Sequence, residues 1–246
     1  MSGPTRPVDL SLVVPVYDER DNLPVLIEEI GRALGGGRKR TYEIVAVDDG
    51  STDGSLDVLK QLQRAHPELR IVAFEANAGQ TAAFAAGFQA ARGRVIVTLD
   101  ADLQNDPADV PALVDELDAS GATAVVGYRI DRRDSGWKRL QSRIANGVRN
   151  RLNHESIRDT GCSLKAFRAD AARALPLFSG MHRFLPTLIK LAGGTVTEVP
   201  VRHRPRLSGR TKYGMWNRVW RSFVDALAVR WMQRRVLRYR VREERP

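Results

Sequence analysis

Two aspartates separated by one residue, Asp100 and Asp102, directly follow an apolar run at 95–99. Alternate residues of an extended segment share a face, so both carboxylates would project toward the same place and repel each other. A hard divalent cation such as Mg²⁺ or Mn²⁺ would relieve this repulsion and could bind the phosphate oxygens of a nucleotide at the same time. The pattern alone is a weak signal, because most pairs of acids in loops are solvated or cap a helix.

Acids also follow two earlier apolar runs of the chain. Tyr17, Asp18 and Glu19 come after the first run, and the sequence Asp-Asp-Gly-Ser at 48–51 comes after the second. In open α/β sheets ligands bind outside the carboxyl ends of the strands, so these three polar ends predict one shared site. Neither a P-loop nor a Gly-x-Gly-x-x-Gly turn occurs in the chain, so the common phosphate-binding turns are excluded.

The segments that would position these acids alternate β-branched runs with helical periods, as in a parallel sheet covered by helices. Strands are predicted at 10–16, 43–47, 70–74, 95–99 and 124–127, with one further strand at 195–201. Apolar spacing predicts helices over 23–34 and 110–117, the second after Asp106 and Pro107. We therefore expect a doubly wound, Rossmann-like α/β fold with a helical, basic C-terminal portion.

Seven motifs occur in a fixed order along the chain. They are Val14–Glu19, Val47–Gly54, Leu99–Gln104, Gly127–Arg129, Asp159–Ser163, Glu198–Val201 and Arg206–Tyr213. Together, over about 10–232, they resemble family 2 glycosyltransferases, in the branch that transfers hexoses to dolichyl or undecaprenyl phosphate. The resemblance implies the nucleotide-diphospho-sugar transferase (GT-A) fold. It also implies inverting, metal-dependent transfer from a GDP-mannose or UDP-glucose type of donor to a polyprenyl phosphate.

The same resemblance assigns residues to each part of the reaction. The nucleotide sugar would be bound by Pro15, Tyr17, Glu19, Val47, Asp48, Asp49, Asp100, Ala101, Gln104, Arg206 and Lys212. The Mg²⁺ or Mn²⁺ ion would be held by Asp100, Asp102 and Gln104, and the acceptor phosphate by Arg129, Arg139 and Ser142. The predicted catalytic residues are Asp102, Arg129 and Asp159.

The type of acceptor decides whether a general base is needed. A phosphate oxygen is already ionised at neutral pH, so positioning and charge neutralisation suffice for its attack. A hydroxyl acceptor would need a base, and Asp159 is the candidate. The alternatives for Asp159 are that it caps a helix or holds an arginine.

The formal net charge of +10 and the pI near 10.3 predict an anionic partner, which could be nucleic acid, a membrane leaflet or a phosphorylated substrate. Three acidic strand ends argue against a nucleic-acid-binding protein. A family 2 enzyme with a soluble or polysaccharide acceptor is the other alternative. The single cysteine, Cys162, excludes an intramolecular disulfide and is interpreted as a small buried residue, and the four dispersed histidines are interpreted as structural.

No apolar run approaches the ~20 residues of a membrane span, and the polar N-terminus lacks the apolar h-region of a signal peptide, so no cleaved signal peptide is expected. Apolar stripes beside arginines predict basic amphipathic helices at 137–152 and 216–232. The second could dock on its own domain, contact a membrane or form a homo-oligomer contact. We predict a disordered 1–8, a glycosyltransferase domain at 9–212 and a basic helix and tail at 213–246. We also predict a cytoplasmic protein associated peripherally with the inner face of the cell membrane.

Overall fold

The computed structural model describes residues 7–35, 40–130, 157–205 and 215–236, and the side chains of these residues except 215–223. Four predicted site residues, Arg139, Ser142, Arg206 and Lys212, lie outside the described residues, as does the stripe at 137–152. The predicted domain boundary at 212 also falls there, so the division of the chain stays a prediction.

A seven-stranded sheet forms the centre of the fold. Its strands are β1 (Leu10–Val16), β2 (Tyr42–Asp48), β3 (Leu69–Ala73), β4 (Val95–Thr98), β5 (Ala124–Arg129), β6 (Lys165–Arg168) and β7 (Val196–Val201). They lie in the order β3-β2-β1-β4-β6-β5-β7. The chain builds outward from β1 through β2 to β3 and then crosses to β4 on the other side of β1. This reversal opens a crevice at the carboxyl ends of β1 and β4.

Six of the seven strands match the sequence prediction, and β6 does not. β1 to β4 are mutually parallel and β5 is parallel to β7, whereas β6 runs antiparallel to both β4 and β5. The expectation of a single strand after residue 137 is therefore wrong. The four residues of β6, Lys-Ala-Phe-Arg, are too few and too polar at their ends to show the continuous apolar run of a strand buried on both faces.

Helices cover both faces of the sheet, as predicted for a doubly wound fold. They are α1 (Leu23–Gly35), α2 (Ser55–Ala65), α3 (Gln80–Ala90), α4 (Val110–Ser120), α5 (Ala169–Arg173), α6 (Leu185–Leu191) and α7 (Met215–Arg235). Buried residues of α1, α2 and α4 form one core cluster with one face of the sheet. Buried residues of α3, α5, α6 and α7 form the second cluster on the other face. This arrangement leaves the loops at the strand ends to carry the polar residues.

The last helix, α7, presents two different faces in its described half. Ala226 and Val229 are buried in the second core cluster, so this half docks on its own domain. Val224, Leu227 and Trp231 are exposed on the opposite side, Trp231 by 63%. Within the described ranges no helix is both long enough and apolar enough to cross a bilayer.

Candidate active site

The polar turns after β1 and β2 are tied to each other. The Asp18 N–H donates to Ser51 Oγ at 3.0 Å, and the Thr52 N–H donates to the Asp18 carboxylate at 2.8 Å. Asp18 has a φ of +51°, a conformation that non-glycine residues rarely adopt and that the surrounding contacts must maintain. Tyr17 and Glu19, which flank it, are thereby held beside the turn that carries Asp48 and Asp49.

Asp48 ends β2 with an unsatisfied carboxylate oxygen. The residue is 1% exposed, and its Oδ1 makes no hydrogen bond in the described structure, while Oδ2 only accepts a long bond of 3.4 Å from the Ser51 N–H. A buried acceptor without a donor is costly, and most such groups in proteins have a partner. A ligand N–H group, such as that of a nucleobase, would satisfy Asp48 and would fit its predicted role.

Asp49, its neighbour, has a different environment. Its carboxylate accepts hydrogen bonds from the Ala78 N–H at 2.7 Å, the Gly79 N–H at 3.0 Å and the Asn77 side chain at 3.0 Å. Asp49 therefore holds the loop that leads into α3, and direct contact with the nucleoside stays a prediction. Gly50 allows this loop to pack closely, because a Cβ there would lie 2.6 Å from Ala76 backbone atoms.

The Asp-x-Asp turn follows β4 and contains the second unusual backbone conformation, Leu103 with a φ of +60°. Asp102 is buried and accepts from the Gln104 N–H at 3.2 Å. The Gln80 side chain, at the start of α3, donates to Asp100 Oδ1 at 2.8 Å. Gln80 could not be predicted as a site residue, because no spacing in the sequence connects it with an acid twenty residues later.

The donor atoms of this turn fit a divalent cation that arrives with a nucleotide. In the described part of the chain no group of three His, Cys, Asp or Glu side chains could hold a metal on its own. Mg²⁺ is commonly bound by only one or two carboxylates, with waters and substrate phosphates completing its octahedron. Asp100 and Asp102 supply this number of carboxylates. The Gln104 backbone is engaged by Asp102 and by the Arg204 N–H, and the Gln104 side chain stays a predicted ligand.

Arg129, at the end of β5, forms a bidentate ion pair with Asp159. Arg129 Nε donates to Asp159 Oδ2 at 2.6 Å and a terminal nitrogen donates to Oδ1 at 2.9 Å. The side chains are only 15% and 8% exposed, so this pair is largely shielded from solvent. Among the alternatives for Asp159, the structure therefore selects the one in which it holds an arginine.

The loop that carries Asp159 is packed against the Asp-x-Asp turn. The Gly161 N–H donates to Asp159 Oδ1 at 3.2 Å, and the Asn105 side chain donates to Ser163 Oγ at 2.5 Å. Cys162 in this loop is buried, and burial raises the pKa of its thiol. This confirms the interpretation of Cys162 as a small core residue.

The chain approaches the segment of Arg206 and Lys212 beside the same turn. Arg204 forms ion pairs with Glu29 at 2.8 Å and with Asp106 at 2.9 Å, and its N–H donates to Gln104 O at 2.8 Å. The last residue described before that segment, Pro205, is consequently anchored next to the predicted metal site.

Three predicted nucleotide-binding residues belong to the sheet and core. Val47 and Ala101 are buried in the two core clusters, so their side chains cannot face a ligand there. Pro15 is half-buried within β1, where it lies opposite Val47 in the β1–β2 register. Their predicted roles stay predictions, and for Val47 and Ala101 they could involve only the backbone.

The chain is similar in sequence to proteins of one known family. Residues 11–175 match the model of glycosyl transferase family 2. The chain is 38% identical over 237 residues to a dodecaprenyl-phosphate galacturonate synthase of Rhizobium johnstonii, covering 95% of this chain and 70% of that protein. It is 39% identical to an undecaprenyl-phosphate 4-deoxy-4-formamido-L-arabinose transferase of Edwardsiella ictaluri, covering 84% of this chain and 63% of the relative. The chain thus spans about two thirds of the length of these relatives.

The structure of this chain is similar to solved structures of glycosyltransferases, and this similarity supports the assignment of its fold. A mannosyltransferase from Pyrobaculum calidifontis, in complex with GDP-Man and Mn²⁺, has a TM-score of 0.65 at 20% identity and covers 89% of this chain and 64% of its own. A glucosyl-3-phosphoglycerate synthase from Mycobacterium tuberculosis, with Mn²⁺, UDP and product, has a TM-score of 0.69 at 17% identity and covers 94% and 81%. The match to the family model agrees with the fold and with the acids at the carboxyl ends of β1, β2 and β4. This chain is therefore a GT-A enzyme of glycosyl transferase family 2.

Proposed function

We propose that the enzyme transfers a hexose, with inversion, from a nucleotide diphosphate sugar to a polyprenyl phosphate at the inner face of the cell membrane, with Mg²⁺ or Mn²⁺ bound. The relatives named for dodecaprenyl or undecaprenyl phosphate support this acceptor class. The proposal rests chiefly on the ion pair of Arg129 and Asp159, which is largely shielded from solvent. A carboxylate engaged on both oxygens by a guanidinium is poorly suited to remove a proton from a hydroxyl acceptor.

The donor side would be formed by the turns after β1, β2 and β4. Asp48 offers an unsatisfied acceptor to the nucleobase, and Asp100 and Asp102 would hold the cation against the diphosphate. When bound, the cation would stabilise the negative charge that grows on the diphosphate as the sugar bond breaks. Gln80 would keep the Asp100 carboxylate in place through its 2.8 Å hydrogen bond.

The acceptor side would be formed around Arg129. An oxygen of the acceptor phosphate forms a bond to the anomeric carbon while the bond from that carbon to the diphosphate breaks, and its electron pair goes to the nucleotide diphosphate. No proton moves, because the attacking phosphate is already ionised. Arg129 would orient the phosphate and neutralise part of its charge, and Asp159 would keep the guanidinium plane fixed.

The acceptor assignment is tested by presenting matched lipids to the purified enzyme. Short polyprenyl phosphate and the corresponding polyprenol would each be incubated with Mn²⁺ and UDP- or GDP-linked glucose, mannose or galacturonic acid. Mass spectrometry should detect a glycosylated polyprenyl phosphate with at least one donor and no glycosylated polyprenol. Equal transfer to the alcohol, or transfer only to a polysaccharide, would contradict the proposal.

We further propose that the exposed side of α7 rests on an anionic membrane surface. Val224, Leu227 and Trp231 recur at helical spacing on this side, and the following Arg234 and Arg235 are exposed. Apolar side chains supply insertion energy in such a helix, and each arginine near an anionic leaflet adds about 1 kcal/mol. The exposed arginines beside these apolar residues match the charge of an anionic leaflet, so a lipid surface is the partner that we propose.

Liposome co-sedimentation tests this surface. The intact protein should pellet with vesicles rich in anionic lipid at low salt, and a variant with Arg230, Arg234 and Arg235 changed to Glu should stay largely in the supernatant. Transfer to a short, water-soluble acceptor should be unchanged in both, which would separate membrane binding from chemistry. Equal pelleting of the two proteins would show that this end of α7 does not bind membranes.

A further inference from the structure

Lys165 is a buried lysine to which the proposed reaction assigns no role. It begins β6 and is 3% exposed, in register with Thr98 of β4 and Val126 of β5. Its Nζ donates a hydrogen bond to the carbonyl oxygen of Cys162. Burial lowers the pKa of Lys165, while the neighbouring carboxylates of Asp100 and Asp159 act in the opposite direction.

The contact made by Lys165 places it beneath the loop that organises the acceptor side. Cys162 is joined to Asp159 through its own N–H at 3.4 Å, and Gly161 donates to the Asp159 carboxylate at 3.2 Å. Asp159 in turn holds Arg129 at 2.6 Å. Hydrogen bonds and the intervening backbone of residues 159–162 therefore connect the Lys165 amino group with the Arg129 guanidinium.

A buried lysine is destabilising at an interior position of a short strand unless its amino group is hydrogen-bonded. Taking an amino group out of water is unfavourable unless its hydrogen bonds are replaced, and an apolar side chain of similar length would pack there without that penalty. Phe167, two residues further along β6, shows that the strand accepts a wholly apolar side chain at an equally buried position. Packing alone therefore gives no reason for an amine at residue 165.

We propose that Lys165 is a positioning residue of the acceptor site, which fixes the 159–162 loop through the Cys162 carbonyl so that Asp159 holds Arg129 in the orientation that binds the acceptor phosphate. This inference rests on the proposed phosphate acceptor. It predicts that loss of the amine disturbs the acceptor side selectively. The nucleotide and metal side is formed by other loops, to which no hydrogen bond from Lys165 is described, so it should be less affected.

The test compares Lys165→Met with the wild-type enzyme. A displacement of about 1 Å in a substrate-positioning group can lower turnover by about 100-fold, so kcat/KM for polyprenyl phosphate should fall by about 10- to 100-fold. The affinity for UDP or GDP with Mn²⁺, measured by calorimetry, should stay within about twofold of wild type. A purely structural role would instead weaken nucleotide binding and the acceptor reaction together.

Two further variants keep the test decisive. Phe167→Leu creates a small cavity in the same strand and should lower the melting temperature without a selective change in the KM of the acceptor. Lys165→Gln keeps a hydrogen-bond donor without the charge, and should fall between wild type and Lys165→Met in acceptor kcat/KM. If Lys165→Met does not fold, Lys165→Gln decides by the same two measurements.

The positioning role of Lys165 and the proposed function would be contradicted by different results. Wild-type acceptor kinetics in folded Lys165→Met or Lys165→Gln would overturn the positioning role while leaving the phosphate acceptor intact. Transfer by the wild-type enzyme to an acceptor without a phosphate would overturn the proposed function, and the positioning role with it.

Discussion

The proposed donor side and the proposed acceptor side of this site are built in different ways. On the donor side, acidic turns follow strands that are adjacent and parallel, and side-chain hydrogen bonds such as Gln80 with Asp100 and Asp18 with Thr52 join residues 20 and 34 positions apart. On the acceptor side, an antiparallel strand enters the sheet and contacts reach 58 positions, from Asn105 to Ser163. The first side follows from the order of the β-α units, and the second requires distant segments to close on each other.

The two sides also differ in the contacts that the described residues make. Asp48 keeps a buried oxygen without a partner among them, and no third described His, Cys, Asp or Glu side chain joins Asp100 and Asp102 in a metal site. Arg129 is already paired on the acceptor side. We therefore expect the donor side to complete its contacts with its ligand and cation, whereas Asp159 already orients Arg129 on the acceptor side. Variants on the two sides should fail in different assays.

The largest effect is expected from Asp102→Asn, which keeps the size of the side chain and removes its charge. Metal-dependent turnover should fall by about 1000-fold or more, because the cation loses one of its two proposed carboxylates. Steady-state rates across a Mn²⁺ titration and the melting temperature would be measured together. Asp118→Asn is the matched control, since Asp118 pairs with Arg40 and Arg94 away from the site and should leave turnover unchanged. Full activity of Asp102→Asn at saturating metal would remove Asp102 from the mechanism.

The next effect concerns the pair that defines the acceptor side. Arg129→Ala and Asp159→Ala should each lower kcat/KM for the acceptor by about 100-fold, and the double variant should lose little more than either single one. This non-additivity is expected because the two residues act as one unit. The pH–rate profile of Asp159→Asn should also keep the limbs of the wild type, since Asp159 removes no proton. Additive losses, or the disappearance of one limb, would contradict the acceptor side as described.

A smaller effect is expected from Asp48→Asn on the donor side. Nucleotide affinity should weaken by about tenfold, because the amide replaces a charged acceptor by a neutral one. The free energy of unfolding should be unchanged or higher, since the substitution removes a buried charge with an unpartnered oxygen. Calorimetry with UDP or GDP and urea unfolding would measure the two quantities. Weakened binding that is accompanied by lower stability would indicate a structural role for Asp48.

The smallest effect lies at the amino ends of the strands, away from both sides. Burial raises the pKa of Glu43, but hydrogen bonds from Ser11, Arg92 and Arg70 outweigh it and lower the pKa below the ordinary value of 4.5. A carboxylate with a lowered folded pKa contributes stability above the unfolded pKa, and this stability is lost as the pH falls through the folded pKa.

Glu43→Gln should accordingly lose about 1 kcal/mol of unfolding free energy at pH 7 and show a shallower decline below pH 4.5 than the wild type. Urea unfolding between pH 3 and pH 7 would measure it. Kinetics with either substrate should not change. The hydrogen bonds described for Glu43 join it to Ser11, Arg70 and Arg92, near the amino ends of the strands and away from either side of the site. An unchanged pH dependence of stability would show that the Glu43 network does not contribute.

The alternating units of the sheet and the positions of its acids could be predicted from the amino-acid sequence alone. The strands β1, β2, β4 and β5 are mostly buried apolar runs, and the edge strands β3 and β7 keep enough apolar residues to be visible as local composition. Asp48, Asp100 and Asp102 could be predicted because they end such runs and parallel strands finish at the same edge. The family followed from the order of these motifs along the chain.

The hydrogen-bond partners of each polar group within that sheet depend on the tertiary structure. Sequence spacing could not distinguish Asp49, which holds a loop, from Asp48, which keeps an unpartnered oxygen, because the difference comes from residues near 78. It could not choose the partner of Asp159, and it did not reveal β6 or Lys165. These features depend on strand pairing and loop closure between segments far apart in the chain, and hydrogen-bond partners of that kind are set only when the sheet assembles.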